Sequence, residues 1–248
     1  AILPGPRDFH ARRSQDPWSR PLGRTILVVP AVATSPPELE PSHGLLGWWP
    51  DLALTGLLSL VAVLAAPRAV QAGDAGEFAT VMLAGGIPHP SGYPWMRVLG
   101  LPARALAALG VPPATAAALP CALAGVAAWI VLWPLLARWA GRGPATVAVA
   151  VLATASPVLV HGSDSEVFGP HLLACALLLR LCARPSPRPW QLGLGLGLAV
   201  SHHLTAALLL PVVIGAAWPR PLSLRRLALV AVQGVGAGVV GLLPYATL

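Results

Sequence analysis

Charged side chains are scarce in this chain. Of its 248 residues only 10% are charged, and lysine is absent, so all 16 basic residues are arginines. An ordinary soluble domain carries about 25% charged residues, whereas this chain is 56% hydrophobic, with a mean hydropathy of +0.71. The composition excludes an ordinary soluble domain and indicates an integral membrane protein.

Cysteine is also rare, and its spacing excludes the common cysteine sites. Cys121, Cys175 and Cys182 all fall in apolar segments, and no CxxC pair occurs. The pattern therefore predicts no cysteine metal or redox motif.

The net charge of +7 is compatible with nucleic-acid binding, but the placement of the arginines favours another explanation. Eight of the 16 arginines form clusters at 138–142, 180–188 and 220–226, between long apolar runs. Basic residues that flank membrane spans mark the cytoplasmic side. We therefore predict that these clusters are cytoplasmic and that no nucleic acid is bound.

The continuous apolar runs predict an all-α, multi-pass helical bundle rather than a barrel, whose strands alternate in polarity. The predicted spans are 48–66, 117–137, 145–160, 167–183 and 227–243. The segment 190–218 is basic on both flanks, so both ends should lie on one side, and we predict two short helices that meet at Ser201-His202-His203.

The remaining segments are predicted to lie outside the bundle or at its edge. Residues 67–95 are expected to form an extracytoplasmic polar loop, and 96–116 an interfacial segment. Residues 1–45, rich in Pro and Arg, are expected to be a disordered cytoplasmic tail or a spurious extension. No cleavable signal peptide is predicted. The transmembrane core is assigned to 46–248 and is expected to be truncated at its C-terminus.

This topology brings a large share of the polar residues to the extracytoplasmic face. Four of the nine acids and five of the seven histidines share that face: Asp74, Glu77, Asp164, Glu166, His89, His161, His171, His202 and His203. Ionisable residues at a membrane usually serve a function, so this face is the predicted site.

Asp74 and Glu77 allow two interpretations. Their spacing fits a capping box in which Asp74 caps a helix and Glu77 reaches back, with Gly85-Gly86 ending that helix. Alternatively, one carboxylate is a general base or a metal ligand. The two interpretations are compatible, because a cap residue is held rigidly.

Three further polar segments are ambiguous in the same way. The loop His89-Pro90-Ser91-Gly92-Tyr93-Pro94 is either a stiff connection or a rim that presents His89 and Tyr93 to a head group. Ser163-Asp164-Ser165-Glu166 has capping-box spacing, although the helix could start instead near Pro170. The adjacent histidines at 202–203 form either a polar turn or, with awkward geometry, part of a metal site.

The order of these segments resembles a known membrane family. Gly73-Asp74-Ala75-Gly76-Glu77-Phe78 and Ile87-Pro88-His89-Pro90-Ser91-Gly92-Tyr93-Pro94 resemble its GDSGE…HPPGYP signature. Ser165-Glu166-Val167-Phe168 with His171 resembles its TEVY…H segment, Ser201-His202-His203-Leu204-Thr205 its GHHLT segment, and Leu243-Pro244-Tyr245 its LPY segment. The family, long known only as a domain of unknown function, is grouped with the protein O-mannosyltransferases of the GT-C glycosyltransferase fold.

This resemblance covers about residues 48–248 and implies a GT-C-like enzyme. It implies transfer of mannose or a related hexose from a polyprenyl-phosphate donor to a protein hydroxyl, at the outer face of a bacterial inner membrane. Asp74 would be the acidic residue at the catalytic centre and Glu77 its close partner. The substrate-binding candidates are His89, Tyr93, Arg97, Glu166, His171, His202 and His203. No metal ligand is assigned and no cofactor is established, although a divalent metal is compatible with the site.

Three departures from the family pattern are visible. Ala75 replaces Ser, Ser91 replaces Pro, and Gly169-Pro170 is expected to interrupt the helix between Glu166 and His171.

A transporter or lipid-sugar flippase is the alternative from another class of function. Transport pathways also use intramembrane carboxylates and broken helices. The position of the acids distinguishes the two, because a transferase needs them near one face and a transporter near the midplane. Asp74 and Glu77 are predicted in a loop, which favours the transferase.

Overall fold

A computed structural model describes residues 49–90, 92–219 and 221–247 of the chain, and in these residues it contains helices but no strand. The expectations for residues 1–45 lie outside the described residues. The α-helices are α1 (Trp49–Ala65), α2 (Asp74–Ala84), α3 (Pro94–Ala108), α4 (Pro113–Ala140), α5 (Arg142–Thr154), α6 (Ser156–Ser163), α7 (Phe168–Cys182), α8 (Pro189–His202), α9 (Leu210–Ala217) and α10 (Leu224–Gly241). Two 3₁₀ segments, Leu204–Leu209 and Leu243–Thr247, complete the order.

Two helical segments of the described chain are long and apolar enough to cross a membrane. They are Pro113–Ala140 and Leu224–Ala246, and a third is possible if α5 and α6, bent by 65° at their junction, act as one span. The other apolar helices are shorter, at 10–17 residues. The described residues therefore confirm the all-α class, and they contain fewer full-length spans than hydropathy predicts for them.

The predicted break between two short helices near residue 202 is confirmed. Helix α8 ends at His202, His203 is extended, and the chain resumes as the 3₁₀ segment that leads into α9. Polar Ser201 and His202 lie buried at this break, which places them among the packed helices.

The prediction of a polar loop at 67–95 is wrong for the centre of this segment, where α2 forms. Phe78, Ala79 and Met82 of α2 are buried with Met96 of α3 and Ala117 of α4 in one apolar cluster. Such packing stabilises a short helix that is marginal in isolation. The 96–116 segment is likewise an ordered helix, α3, followed by the start of α4 at Pro113.

Neither capping box forms. Gly73 is the N-cap of α2 and no side chain caps this helix, so Asp74 is its first helical residue. The predicted end is confirmed, because Gly85 follows α2 with φ +86°, a conformation that favours glycine. Ser163 ends α6 instead of starting a helix, and α7 begins at Phe168. Pro170 therefore lies in the first turn of α7, where its missing N–H costs nothing, and does not interrupt the helix.

Helices α8 and α10 pack through glycines. A Cβ on Gly193 would overlap the carbonyl oxygen of Gly234, and one on Gly197 would overlap that of Gly238. Small residues at such positions let two helix backbones approach closely. The opposite side of α10 leaves Val232, Val235 and other large apolar side chains exposed.

Candidate functional site

Asp74, Glu77 and His89 form a compact cluster at the start of α2. The backbone N–H of His89 donates to Glu77 Oε1 at 2.5 Å, and His89 Nδ1 lies 2.9 Å from Glu77 Oε2. On the other side of the ring, His89 Nε2 is 3.9 Å from Asp74 Oδ2. The histidine therefore sits between the two carboxylates, and both oxygens of Glu77 are used to hold it.

Glu77 and Asp74 differ in their hydrogen bonding and in their exposure. The hydrogen bond from the His89 side chain, aided by the one from its backbone N–H, holds the pKa of Glu77 below its ordinary value of 4.5. Glu77 thus stays ionised and engaged, which makes it a poor proton acceptor. The Asp74 side chain is 62% exposed, against 40% for Glu77, so Asp74 is the carboxylate that an incoming substrate can reach.

The loop after α2 is shaped to bring His89 back to the start of that helix. The Phe78 ring contacts the rings of His89 and Tyr93, with centroid distances of 5.6 and 5.2 Å. Tyr93 is the one non-glycine residue of the described chain with positive φ, at +40°. Such conformations persist where surrounding contacts impose them, often at functional sites.

A second acidic segment lies against the first. The Ser165 hydroxyl donates to the carbonyl of Ala75 at 2.8 Å in a buried contact, and Asp164 Oδ1 accepts from the backbone N–H of Ser165 at 2.7 Å. This contact joins residues 90 positions apart. It brings the segment that connects α6 and α7 to the first turn of α2.

Glu166 is electrostatically coupled to this cluster. Burial raises its pKa above the ordinary value, the charges of Asp74 and Asp164 raise it further, and His161 opposes the shift. The charges of Asp74 and Asp164 therefore act on Glu166.

The predicted histidines also come together. The His171 ring lies 4.8 Å from that of His203 and 6.3 Å from that of His202. His202 Nε2 lies 3.0 Å from the carbonyl oxygen of Val167, so it is the donor, while its buried Nδ1 has no hydrogen-bond partner among the described residues. Tyr93 links this group to the first cluster, because its ring lies 5.3 Å from His89 and 5.7 Å from His203.

Arg97 and His161 are the remaining residues that the sequence predicted for this site. Arg97 is exposed on the first turn of α3, and His161 stacks edgewise on Phe168 at a centroid distance of 5.3 Å. His161 and His171 both line an open groove of about 490 Å³ between α1, α4, α6 and α7. Its other walls are mostly apolar, with Leu58, Trp129 and Leu172 among them.

Several contacts that hold the site residues in place were not predicted from the sequence. Trp95 Nε1 donates to the Ser201 hydroxyl at 3.0 Å and ties α3 to the end of α8. The Thr205 hydroxyl lies within hydrogen-bond distance of both His171 and His203. Thr205 stood beside the histidines in the sequence, whereas nothing in the sequence indicated the partner of Trp95.

The first cluster has the ligand types for a divalent cation. Ligand atoms of Asp74, Glu77 and His89 lie within 4.8 Å of one another, and the described chain has no other group of this kind. Two carboxylates and an imidazole suit Mn²⁺ or Zn²⁺.

Comparison with known proteins identifies no relative: no family model matches the chain, and neither a curated protein nor a solved structure does. The proposed function therefore rests on the geometry of the site.

We expect the Glu77–His89 contact to make stability pH-dependent on the acid side. Because the folded-state pKa of Glu77 is lowered from 4.5, the contact contributes stability above about pH 4.5 that is lost as the pH falls through the lowered value. Unfolding temperatures of the detergent-solubilised protein and Glu77→Gln should differ at pH 7 and converge toward pH 3. Thr80→Val, an exposed change on the same helix, is the control, and a gap for Glu77→Gln that persists unchanged at pH 3 would contradict the assignment.

Proposed function

We propose that this chain is the membrane core of a multi-pass, GT-C-type glycosyltransferase of the bacterial plasma membrane. It moves a hexose, mannose being the first candidate, from a polyprenyl-phosphate carrier to a protein hydroxyl. The observation that carries the proposal is the exposed Asp74 carboxylate beside the locked Glu77–His89 pair, with Glu166 and the histidine group around it.

The chemistry requires a base at the acceptor. In the proposed reaction Asp74 accepts the proton of the acceptor hydroxyl as its oxygen attacks the anomeric carbon. A new bond forms between that carbon and the acceptor oxygen, and the bond from the carbon to the phosphate oxygen breaks. The polyprenyl phosphate leaves with the electron pair of the broken bond. Glu77 keeps His89 in place beside the base.

The leaving phosphate needs hydrogen-bond donors, which stabilise developing charge when they are preorganised. His203 lies one aromatic ring, that of Tyr93, away from His89, and His171 contacts His203 in turn. The apolar groove beside His161 and His171 suits the isoprenoid chain of the same donor.

The position of the acids favours transfer over transport. Asp74 and Glu77 lie in the first turn of α2, which is not among the apolar segments that could cross a membrane. With the arginine clusters in the cytoplasm, this turn belongs to the outer face, where a lipid-linked sugar presents its head group.

The test is transfer of a radiolabelled hexose by the full-length protein reconstituted in liposomes with a Ser/Thr-containing acceptor peptide. We expect label on the peptide from polyprenyl-phosphate hexose and none from a nucleotide sugar. Translocation of intact lipid-linked sugar across the bilayer without any peptide label would instead identify a flippase and would contradict the transferase proposal.

A further inference from the structure

Thr205 contacts two histidines at once. Its backbone N–H donates to His203 Nδ1 at 3.2 Å. Its hydroxyl oxygen lies 2.7 Å from the same Nδ1 and 3.0 Å from His171 Nε2. One threonine thus supplies both groups that face His203 Nδ1.

These contacts determine where the ring proton of neutral His203 lies. The backbone N–H of Thr205 points at Nδ1 from 3.2 Å, which favours a lone pair on that nitrogen, and the closer hydroxyl shares this lone pair. The Thr205 hydroxyl must then donate to Nδ1, since two lone pairs at 2.7 Å would repel. The same oxygen is left to accept from His171 Nε2–H. The chain of hydrogen bonds therefore runs from His171 through Thr205 to His203 and leaves the ring proton of His203 on Nε2.

Unlike the Nε2–H groups of His202 and His171, the Nε2–H group of His203 is available to hydrogen-bond a ligand. His202 directs its Nε2–H to the carbonyl of Val167, and His171 directs its own to Thr205. Among the described residues, His203 Nε2 has no such partner, and the His203 ring is half-buried next to Tyr93. A donor without a partner, one ring away from the Asp74–Glu77–His89 cluster, is placed to bind an anion.

We propose that Thr205 is a positioning residue that holds His203 as the Nε2–H tautomer, so that His203 donates a hydrogen bond to the phosphate group of the lipid donor. The identity of the anion rests on the proposed function, whereas the tautomer does not. A phosphate oxygen is an acceptor only, so the opposite tautomer would present a lone pair to it and repel it.

The first experiment reads the tautomer directly. In the full-length protein labelled with ¹⁵N-histidine in detergent micelles, imidazole ¹⁵N shifts distinguish Nε2–H from Nδ1–H, and His203→Gln identifies the signal. We expect His203 to be purely Nε2–H in the wild type and in Thr205→Ser. Thr205→Val keeps the shape of the side chain and the longer backbone N–H contact but loses the closer hydroxyl donor. The lone pair on Nδ1 is then stabilised less, and we expect a mixture. An Nδ1–H wild type, or an unchanged signal in Thr205→Val, would overturn the proposal.

The second experiment tests whether His203 binds a phosphate group. Farnesyl phosphate should shift the wild-type His203 Nε2 signal, and the affinity should fall about two- to tenfold in Thr205→Val, the effect of one net hydrogen bond, and recover in Thr205→Ser. Inorganic phosphate shows whether the head group alone suffices. Absence of any wild-type shift, or equal affinity in Thr205→Val, would refute phosphate binding. A correct phosphate response without sugar transfer would leave this inference standing and remove the proposed function.

Discussion

Replacing Asp74 with asparagine is expected to lower hexose transfer about 10²- to 10⁴-fold, the usual contribution of a positioned general base. Asparagine keeps the size of the side chain but cannot accept the acceptor's proton. The reason for choosing Asp74 over Glu77 is geometric. Both Glu77 oxygens are engaged by His89, whereas the Asp74 side chain is 62% exposed.

The assay is initial transfer rate at saturating lipid-linked hexose, with equal amounts of folded protein. Thr80→Val is the matched control, because Thr80 is exposed on the same helix and its hydroxyl contacts the carbonyl of Gly76 at 2.9 Å. Its rate should match the wild type. If Asp74→Asn transferred sugar as fast as this control, Asp74 would not be the base.

Replacing Gly193 with alanine is expected to destabilise the bundle by about 1 to 3 kcal/mol, the usual cost of overpacking. The added Cβ would overlap the carbonyl oxygen of Gly234. That obstacle is backbone, so only a separation of α8 from α10 relieves it. A separation would also disturb the end of α8, where His202 is held.

Gly236→Ala is the control for this prediction, because a Cβ on Gly236 meets nothing within 4 Å. Alanine favours a helix over glycine by about 1 kcal/mol, so this variant should be as stable as the wild type or more so. Thermal unfolding in detergent measures both variants. Equal unfolding temperatures for Gly193→Ala and Gly236→Ala would show that the glycine contact does not limit stability.

The helices and their breaks were largely predictable, since they follow from local sequence. Long apolar runs located α1, α4 and α10, and two polar histidines in an apolar stretch located the break after α8. The helix α2 was not located by hydropathy, because it is short and polar at its start, and only the capping-box interpretation of Asp74 and Glu77 indicated it. It is stabilised by burying Phe78 and Met82 against α3 and α4, and hydropathy does not report such packing.

The candidate site, like the fold, was predictable only in part. The sequence indicated which acids and histidines share a region, since charges are rare and their order along the spans restricts them. It could not show that Glu77 holds His89 and makes no capping hydrogen bond, because both arrangements are compatible with the same spacing along the chain. Nor could it show that Ser165 reaches Ala75, a contact between residues 90 positions apart.

The sequence by itself determined the all-α class, through its continuous apolar runs, and indicated a membrane-type chain, because so few charged residues cannot cover the surface of an ordinary soluble domain. The pairing of particular polar groups was decided only by the tertiary structure. A hydrogen bond depends on tenths of an ångström and on which donors are already taken. Those quantities arise when helices pack, and so Asp74 was left accessible, Glu77 engaged, and Thr205 placed between two histidines.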